Sequence, residues 1–399
     1  MVPDADPARD VARAWHAARM GTTTATREQV LRRRLRVQQL DRATDPARPP
    51  TDADVLGLGV QDTGPDGALW ALALRGVPVG ARAWPQDDLV LVWSVRGAPH
   101  AYRRTDLRDV QAALRPFSDA DAGTRVYDAA KPMRAAGIRP VDGLAFVATT
   151  MRHVVATPTV KGVVSTRLTQ EVPEPYLRWC RACQATHLWE MPFRLAALHA
   201  GLELEPGTSP PVLRRIPGWP SSRVGSVERK RGTRDDGTLD VVRQVLHLLG
   251  PLDARQVAGF LDAPVQDVRA RWPRDAVPVD VEGSARDLLE EDLPGLATAA
   301  RPDGDRVVRL LGPYDLFLQS RDRETLVPDA ARRRDLWPVL GRPGAVMVDG
   351  EVVGTWRPRA RGRRLGLDLD PWVPWDRSTA RAVEREHERL AAFRGLEPS

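Results

Sequence analysis

Cys180-x2-Cys183-x3-His187 is the most compact cluster of chemistry-bearing side chains in the sequence. Two thiolates and an imidazole suit zinc, which then needs a fourth protein ligand or a water to complete its tetrahedron. No second Cys/His pair accompanies them, although His153 and His199 exist. These two cysteines, the only ones in 399 residues, therefore read as ordinary buried thiols beside a helix. No metal, no cofactor and no disulfide framework is expected.

A second candidate is Gly57-Leu58-Gly59-Val60-Gln61-Asp62-Thr63. An amide and a carboxylate sit side by side between two expected helices. A loop there would point Gln61 and Asp62 into a cleft. Pro65 suits the first turn of the next helix, whose N-terminus attracts anions. The plainer alternative makes Asp62 or Thr63 a helix cap. The sequence contains no P-loop, no Gly-rich dinucleotide fingerprint and no Gly-x-Ser-x-Gly elbow, so NTPase, kinase and α/β-hydrolase chemistry has no support.

Composition frames what must position these residues. Hydrophobic residues make up 42% and charged residues 28%, the balance of a folded chain with room for several domains. The net charge is +6, and Lys131, Lys161 and Lys230 are the only lysines, so nearly all cations are arginines. Arginine forks match phosphates and guanine edges. A GC-rich coding sequence also raises Arg, Ala, Pro and Gly, and shares the explanation. No apolar run reaches the roughly 18 residues of a membrane span. Met1-Val2-Pro3-Asp4 opens no signal peptide. The expected location is cytoplasmic, with nucleoid association.

Residues 1–22 read as a polar tail. Thr26-Arg27-Glu28-Gln29 is a capping-box pattern and predicts a helix, with Val30, Leu31 and Leu35 on one face and Arg32, Arg33, Arg34 and Arg36 elsewhere. Short helices over 52–58 and 65–75, a β-type run at Leu89–Val95 and a strand at His100–Arg103 complete a unit over 23–120, the outline of a winged helix. The middle, 121–206, reads as helical with strand character near Val160 to Val164, compatible with a third copy of that unit. A basic linker spans 207–236 and contains Arg229, Lys230 and Arg231. The outline recurs over 237–300. Val242, Val245, Leu246 and Leu249 keep helical spacing, Asp253 and Gln256 cap a second helix, and Pro264 opens a third bearing Arg269 and Arg271. Three helices, the last basic, then a hairpin is the helix-turn-helix layout, whose last helix enters the major groove. From 301 to 399 strands dominate. Asp349-Gly350 marks a type I′ hairpin, Arg357, Arg359, Arg361, Arg363 and Arg364 follow, and Ser378 is placed to cap a final helix that ends before Gly395. The fold class read from this is α+β, with tandem winged-helix (helix-turn-helix) domains and a C-terminal small β-barrel or sheet.

Several stretches, in order and spacing, resemble the winged-helix alkylpurine DNA glycosylases of the AlkZ/YcaQ type. They are Val92-Trp93-Ser94-Val95-Arg96-Gly97-Ala98-Pro99-His100, Glu190-Met191-Pro192-Phe193-Arg194, Leu310-Leu311-Gly312-Pro313-Tyr314-Asp315, Asp322-Arg323, and Val348-Asp349-Gly350-Glu351 running on to Arg357. The resemblance implies three tandem winged helices around a concave basic surface, and excision of alkylated purines from damaged double-stranded DNA by a monomer. It also implies a catalytic Gln-apolar-Gln or Gln-apolar-Asp motif. In either register the first glutamine is missing here, since Gly59-Val60-Gln61 or Val60-Gln61-Asp62 stands in its place. Gln61 is then expected to orient water and Asp62 to support charge. Arg96 and His100 would hold phosphate or the first wing, and Tyr314 and Asp315 would fasten the C-terminal domain. Arg269, Arg271, Arg229, Lys230 and Arg231 would touch DNA. The rivals are a non-catalytic winged-helix DNA binder, acting as regulator or lesion shield, and an RNA binder.

Overall fold

The computed structural model describes residues 23–64, 67–228, 239–299 and 306–399. The tail at 1–22, Pro65, and Arg229, Lys230 and Arg231 lie outside them. In chain order, β1 (Thr23–Ala25) and α1 (Arg27–Val37) come first. β2 (Val60–Gln61), α2 (Gly67–Leu74), β3 (Leu89–Trp93) and β4 (Pro99–Arg103) follow. Next come α3 (Leu107–Ala113), α4 (Asp119–Arg125), α5 (Ala130–Ala135) and α6 (Pro140–Val154). β5 (Thr159–Val160), α7 (Lys161–Glu171), the ribbon β6 (Leu177–Cys180) and β7 (Ala185–Leu188), α8 (Glu190–His199), β8 (Leu202–Leu204) and β9 (Val212–Arg215) complete the middle. Helices α9 (Val241–Leu249), α10 (Ala254–Leu261) and α11 (Val265–Arg269) then lead to the hairpin β10 (Ala276–Val281) and β11 (Ser284–Leu289).

Local chemistry sets many of these boundaries. The Thr26 side chain accepts from the Gln29 N–H and the Gln29 side chain accepts from the Thr26 N–H, a complete capping box. Asp253 and Gln256 repeat it at α10. The apolar positions of α9 are all buried, as their spacing requires. α2 is apolar all round, and every residue from Ala68 to Leu74 is buried. Its Ala68, Ala71 and Leu72 join a core with α9 and α10. Its Trp70, Ala73 and Leu74 join another with the C-terminal sheet. One short helix is therefore the partition between two cores.

The six-stranded sheet runs β2-β4-β3-β8-β9-β5. β1 pairs in parallel with β10, so the start of the described chain closes onto the hairpin near residue 280. The C-terminal half-barrel has five strands, beginning with β12 (Val308–Leu311), β13 (Gly344–Val348), β14 (Glu351–Arg361) and β15 (Arg364–Pro371). Asp349 and Gly350 between β13 and β14 have φ 52° and 93°, the two positive angles that a type I′ turn demands. The exposed β14–β15 end carries Arg357, Arg359, Arg361, Arg363 and Arg364.

Several expectations need correction. Only Thr159 and Val160 are strand; from Lys161 the chain is helical, because Val164 and Leu168, four residues apart, are buried on one face. Val212–Arg215, inside the stretch read as linker, is a strand held between β8 and β5. Asp376, not Ser378, caps the last helix (Arg377–Arg394), its carboxylate accepting from the Thr379 N–H at 2.7 Å. Two of the arginines expected off the apolar face of α1 are buried as well. Arg33 is 2% and Arg34 0% exposed. Arg33 pairs with Asp292 at 2.9 Å, and Arg34 makes a two-pronged pair with Asp322 at 3.0 and 2.6 Å. Cys180 and Cys183 are not buried thiols beside a helix. They are half-buried and exposed, on a two-stranded ribbon whose turn lifts them out of the core.

Candidate functional site

Gly59-Val60-Gln61-Asp62 forms the approach to α2. Gly59 has φ 91°, and a Cβ there would stand 2.4 Å from the Tyr102 ring, so only glycine lets the chain cross it. Val60 and Gln61 pair with Ala101 and His100 of β4. The Asp62 N–H donates to the Pro99 carbonyl at 2.8 Å and ends that ladder. The Gln61 amide N–H donates to Thr63 Oγ1 at 2.9 Å. Asp62 Oδ1 accepts from the Ala68 N–H at 2.9 Å, in the first turn of α2. Gly67 permits this approach, since a Cβ would come within 2.4 Å of the same oxygen. Asp62 thus faces the positive end of a buried helix. It is at once the helix cap and a carboxylate next to the Gln61 amide.

The layer behind β2 is polar but closed. Ser94 Oγ lies 3.0 Å from His100 Nδ1 and 2.9 Å from Tyr102 Oη. Tyr102 donates to the Leu58 carbonyl at 3.3 Å, and His100 Nδ1 stands 2.9 Å from the Ala98 carbonyl. A carbonyl only accepts, so Nδ1 carries the proton. His100 is 3% exposed, and burial pushes its imidazole down from 6.5 to about 3, which keeps it neutral. Burial raises the Tyr102 phenol. His100 secures the hairpin from inside.

Arg96 occupies the β3–β4 turn with φ 57°. It donates to the Phe260 carbonyl at 3.0 Å and to Gln319 Oε1, and it lies over the Phe260 ring at 4.9 Å. Burial, then the repulsion of Arg321, lowers its guanidinium to about 10, and Arg342 and Arg323 add to this. Arg323 is lowered by burial and by Arg321 and Arg342. Arg321 donates to the Gly259 carbonyl at 2.7 Å, Arg323 lies over Trp337 at 4.9 Å, and Arg342 lies over Tyr314 at 5.3 Å. Four guanidiniums are therefore crowded together on rigid supports, with Asp262 as an acidic neighbour, 3.8 Å from Arg321. Such a cluster suits a phosphate.

The model of the AlkZ-like DNA glycosylase family matches residues 52–393. The chain belongs to the AlkZ-like DNA glycosylase family. The solved structure of Streptomyces sahachiroi DNA glycosylase AlkZ is similar over 94% of this chain and 100% of that one, at 22% identity and a TM-score of 0.68. That likeness supports the fold. No curated protein matches the chain.

For an AlkZ-like DNA glycosylase the substrate is DNA, and the expected contacts fall into distinct places. Gln61 and Asp62 adjoin His100 and Pro99 across β2 and β4, and Arg96 sits in the turn that leads into β4. Arg269 is exposed at the end of α11, and Arg271 lies over the Phe117 ring at 4.7 Å. Arg321, Arg323 and Arg342 carry no local signal in the sequence, because they meet Arg96 only through the fold; Asp322-Arg323 in the family resemblance is the nearest hint. A groove of about 570 Å³ is lined by Arg104, Arg108, Arg214 and Arg215, but Glu203 in its wall already pairs with Arg104 and Arg214. Among the described residues, Cys180, Cys183 and His187 are the group placed to hold a metal ion. No helix of the described chain is long and apolar enough to cross a membrane.

Proposed function

We propose that this AlkZ-like protein excises alkylated purines from double-stranded DNA by hydrolysing the N-glycosidic bond. The observation that carries the reading is the Gln61–Asp62 pair, held rigidly between Tyr102 and the start of α2 in a chain of a DNA glycosylase family. A purine alkylated at N7 or N3 is cationic, so its bond to the sugar is weakened before the protein acts. The bond breaks with its electron pair going to the base, which leaves neutral, and C1′ becomes oxocarbenium-like. The Asp62 carboxylate stabilises that charge, and Gln61 orients the water that adds to C1′. The proton of that water passes to Asp62 and then to solvent.

The helices and hairpin at 241–289 act as a winged helix, as do those around the candidate site. Arg96 and His100 hold the first wing. Arg96, Arg321, Arg323 and Arg342 supply the phosphate contacts closest in the fold to that wing, with Arg269, Arg271 and the trio Arg229, Lys230 and Arg231 as further basic contacts. The alternative is a non-catalytic DNA binder. It is favoured by one fact: Asp62 Oδ1 already serves α2.

The test is release of N7-methylguanine from methylated duplex DNA by the wild type, Gln61→Ala and Asp62→Asn. Release lost in both variants supports the assignment. Unchanged release in both removes it. Tight binding without release from any alkylated duplex would establish the non-catalytic reading.

A further inference from the structure

The β6–β7 ribbon carries three side chains that excision does not use. Cys180 ends β6, Cys183 lies in the turn, and His187 stands in β7 opposite Arg178. Their ligand atoms all lie within 4.8 Å of one another. Two local features arrange them. Gln184, directly after Cys183, has φ 49°, the left-handed bend that turns the chain back on itself. Backbone N–H groups of Cys183 and Ala182 donate to the Cys180 sulfur, and the His187 ring also reaches it. His187 Nδ1 lies 2.8 Å from the Leu188 carbonyl, so Nδ1 carries the proton and Nε2 keeps its lone pair for a ligand.

We propose that Cys180, Cys183 and His187 bind one zinc ion, with water in the fourth position. Two sulfurs and one imidazole are soft donors that favour zinc over magnesium or calcium. Each thiol releases its proton on binding, and the two thiolates balance the charge of the ion. Among the described residues the ribbon pairs with no other strand. Leu188 anchors the base of the ribbon in the middle core, while the turn that carries Cys183 is exposed, so the ion staples the outer end. The staple also acts at a distance. β7 runs directly into α8, where Glu190 holds Arg194 at 2.6 Å and Arg194 donates to the Gly97 carbonyl in the β3–β4 turn at 3.2 Å. Zinc thereby fixes the helix that supports the first wing.

The experiment uses the full chain, reduced and freed of loosely bound metal. Mass spectrometry of the metal content should find one zinc per chain, and Cys183→Ser and His187→Ala should fall to background. Cobalt added to the metal-free wild type should give thiolate-to-cobalt charge-transfer absorption and the strong visible bands of a tetrahedral site. Trypsin cleavage at Arg181, in the turn, should slow about 100-fold at free zinc one hundred times its Kd. If the variants fail to fold, the wild-type cobalt spectrum decides alone. Zinc no higher than in the variants, together with no cobalt charge-transfer band, overturns the proposal.

Discussion

At the scale of single residues, Gly59 and Asp62 separate position from chemistry. Gly59→Ala places a methyl against the Tyr102 ring at a backbone angle that L-residues rarely adopt. It should cost about 1–3 kcal/mol and displace Gln61. The expected outcome is loss of base release with Gln61 still present, measured beside a urea denaturation curve. Asp62→Asn keeps an oxygen for the Ala68 N–H and loses only the charge. Base release should fall about 10²–10⁴-fold while stability falls by no more than about 1 kcal/mol, the share of the charge at the helix end. Asp62→Ala should lose the cap as well, at about 1 kcal/mol. His100 gives a pH signature. Its folded form titrates near 3 and its unfolded form near 6.5. The unfolded chain therefore binds the extra proton first, and the contribution of His100 is complete above about 6.5 and lost as the pH falls. Between pH 7 and 5 the wild type should lose about 2 kcal/mol more than His100→Asn. Parallel curves would mean that His100 is not held neutral.

At the scale of elements, α2 carries opposite charges at its two ends, each where the helix dipole favours it. Asp62 meets the first turn. Arg75, fully buried just past the last turn, pairs with Asp315 at 2.8 and 2.9 Å and returns a bond to the Ala71 carbonyl. Asp315→Ala should cost about 3–5 kcal/mol by stranding the Arg75 charge, and Arg75→Met combined with Asp315→Leu should recover most of it. Thermal or urea unfolding of these variants reads this directly. What is legible in the sequence here follows from distance along the chain. Both capping boxes and the Asp349-Gly350 turn are readable because their partners lie within three residues. The fastening role of Asp315 comes only with the family resemblance, and its partner Arg75 lies 240 positions away. The pairing of β1 with β10 and the burial of Arg33 and Arg34 have no local trace, since an arginine reads as exposed until its distant carboxylate is known.

At the scale of the whole molecule, the net charge of +6 matters less than where arginines remain open to a partner. Those buried in α1 are spent on internal pairs, whereas Arg321, Arg323 and Arg342 are only partly buried near Arg96, with Asp262 beside Arg321 as an acidic neighbour. Replacing any of these three with alanine should weaken DNA binding and reduce the slope of log affinity against log salt by about 0.9 for each phosphate no longer neutralised. Fluorescence anisotropy across a salt series measures it, and an unchanged slope in all three would exclude the cluster from the interface. The closing of the first described strand and helix onto distant segments has a further consequence, in the timing of synthesis. Arg34 waits for Asp322, 288 positions on, and Arg27 waits for Glu351, 324 positions on. At about 5–20 residues per second, α1 stays without these ionic partners for tens of seconds. A ribosome stalled before residue 322 would hold a nascent chain in which this helix still lacks the carboxylate for Arg34 and stays open to proteases and chaperones.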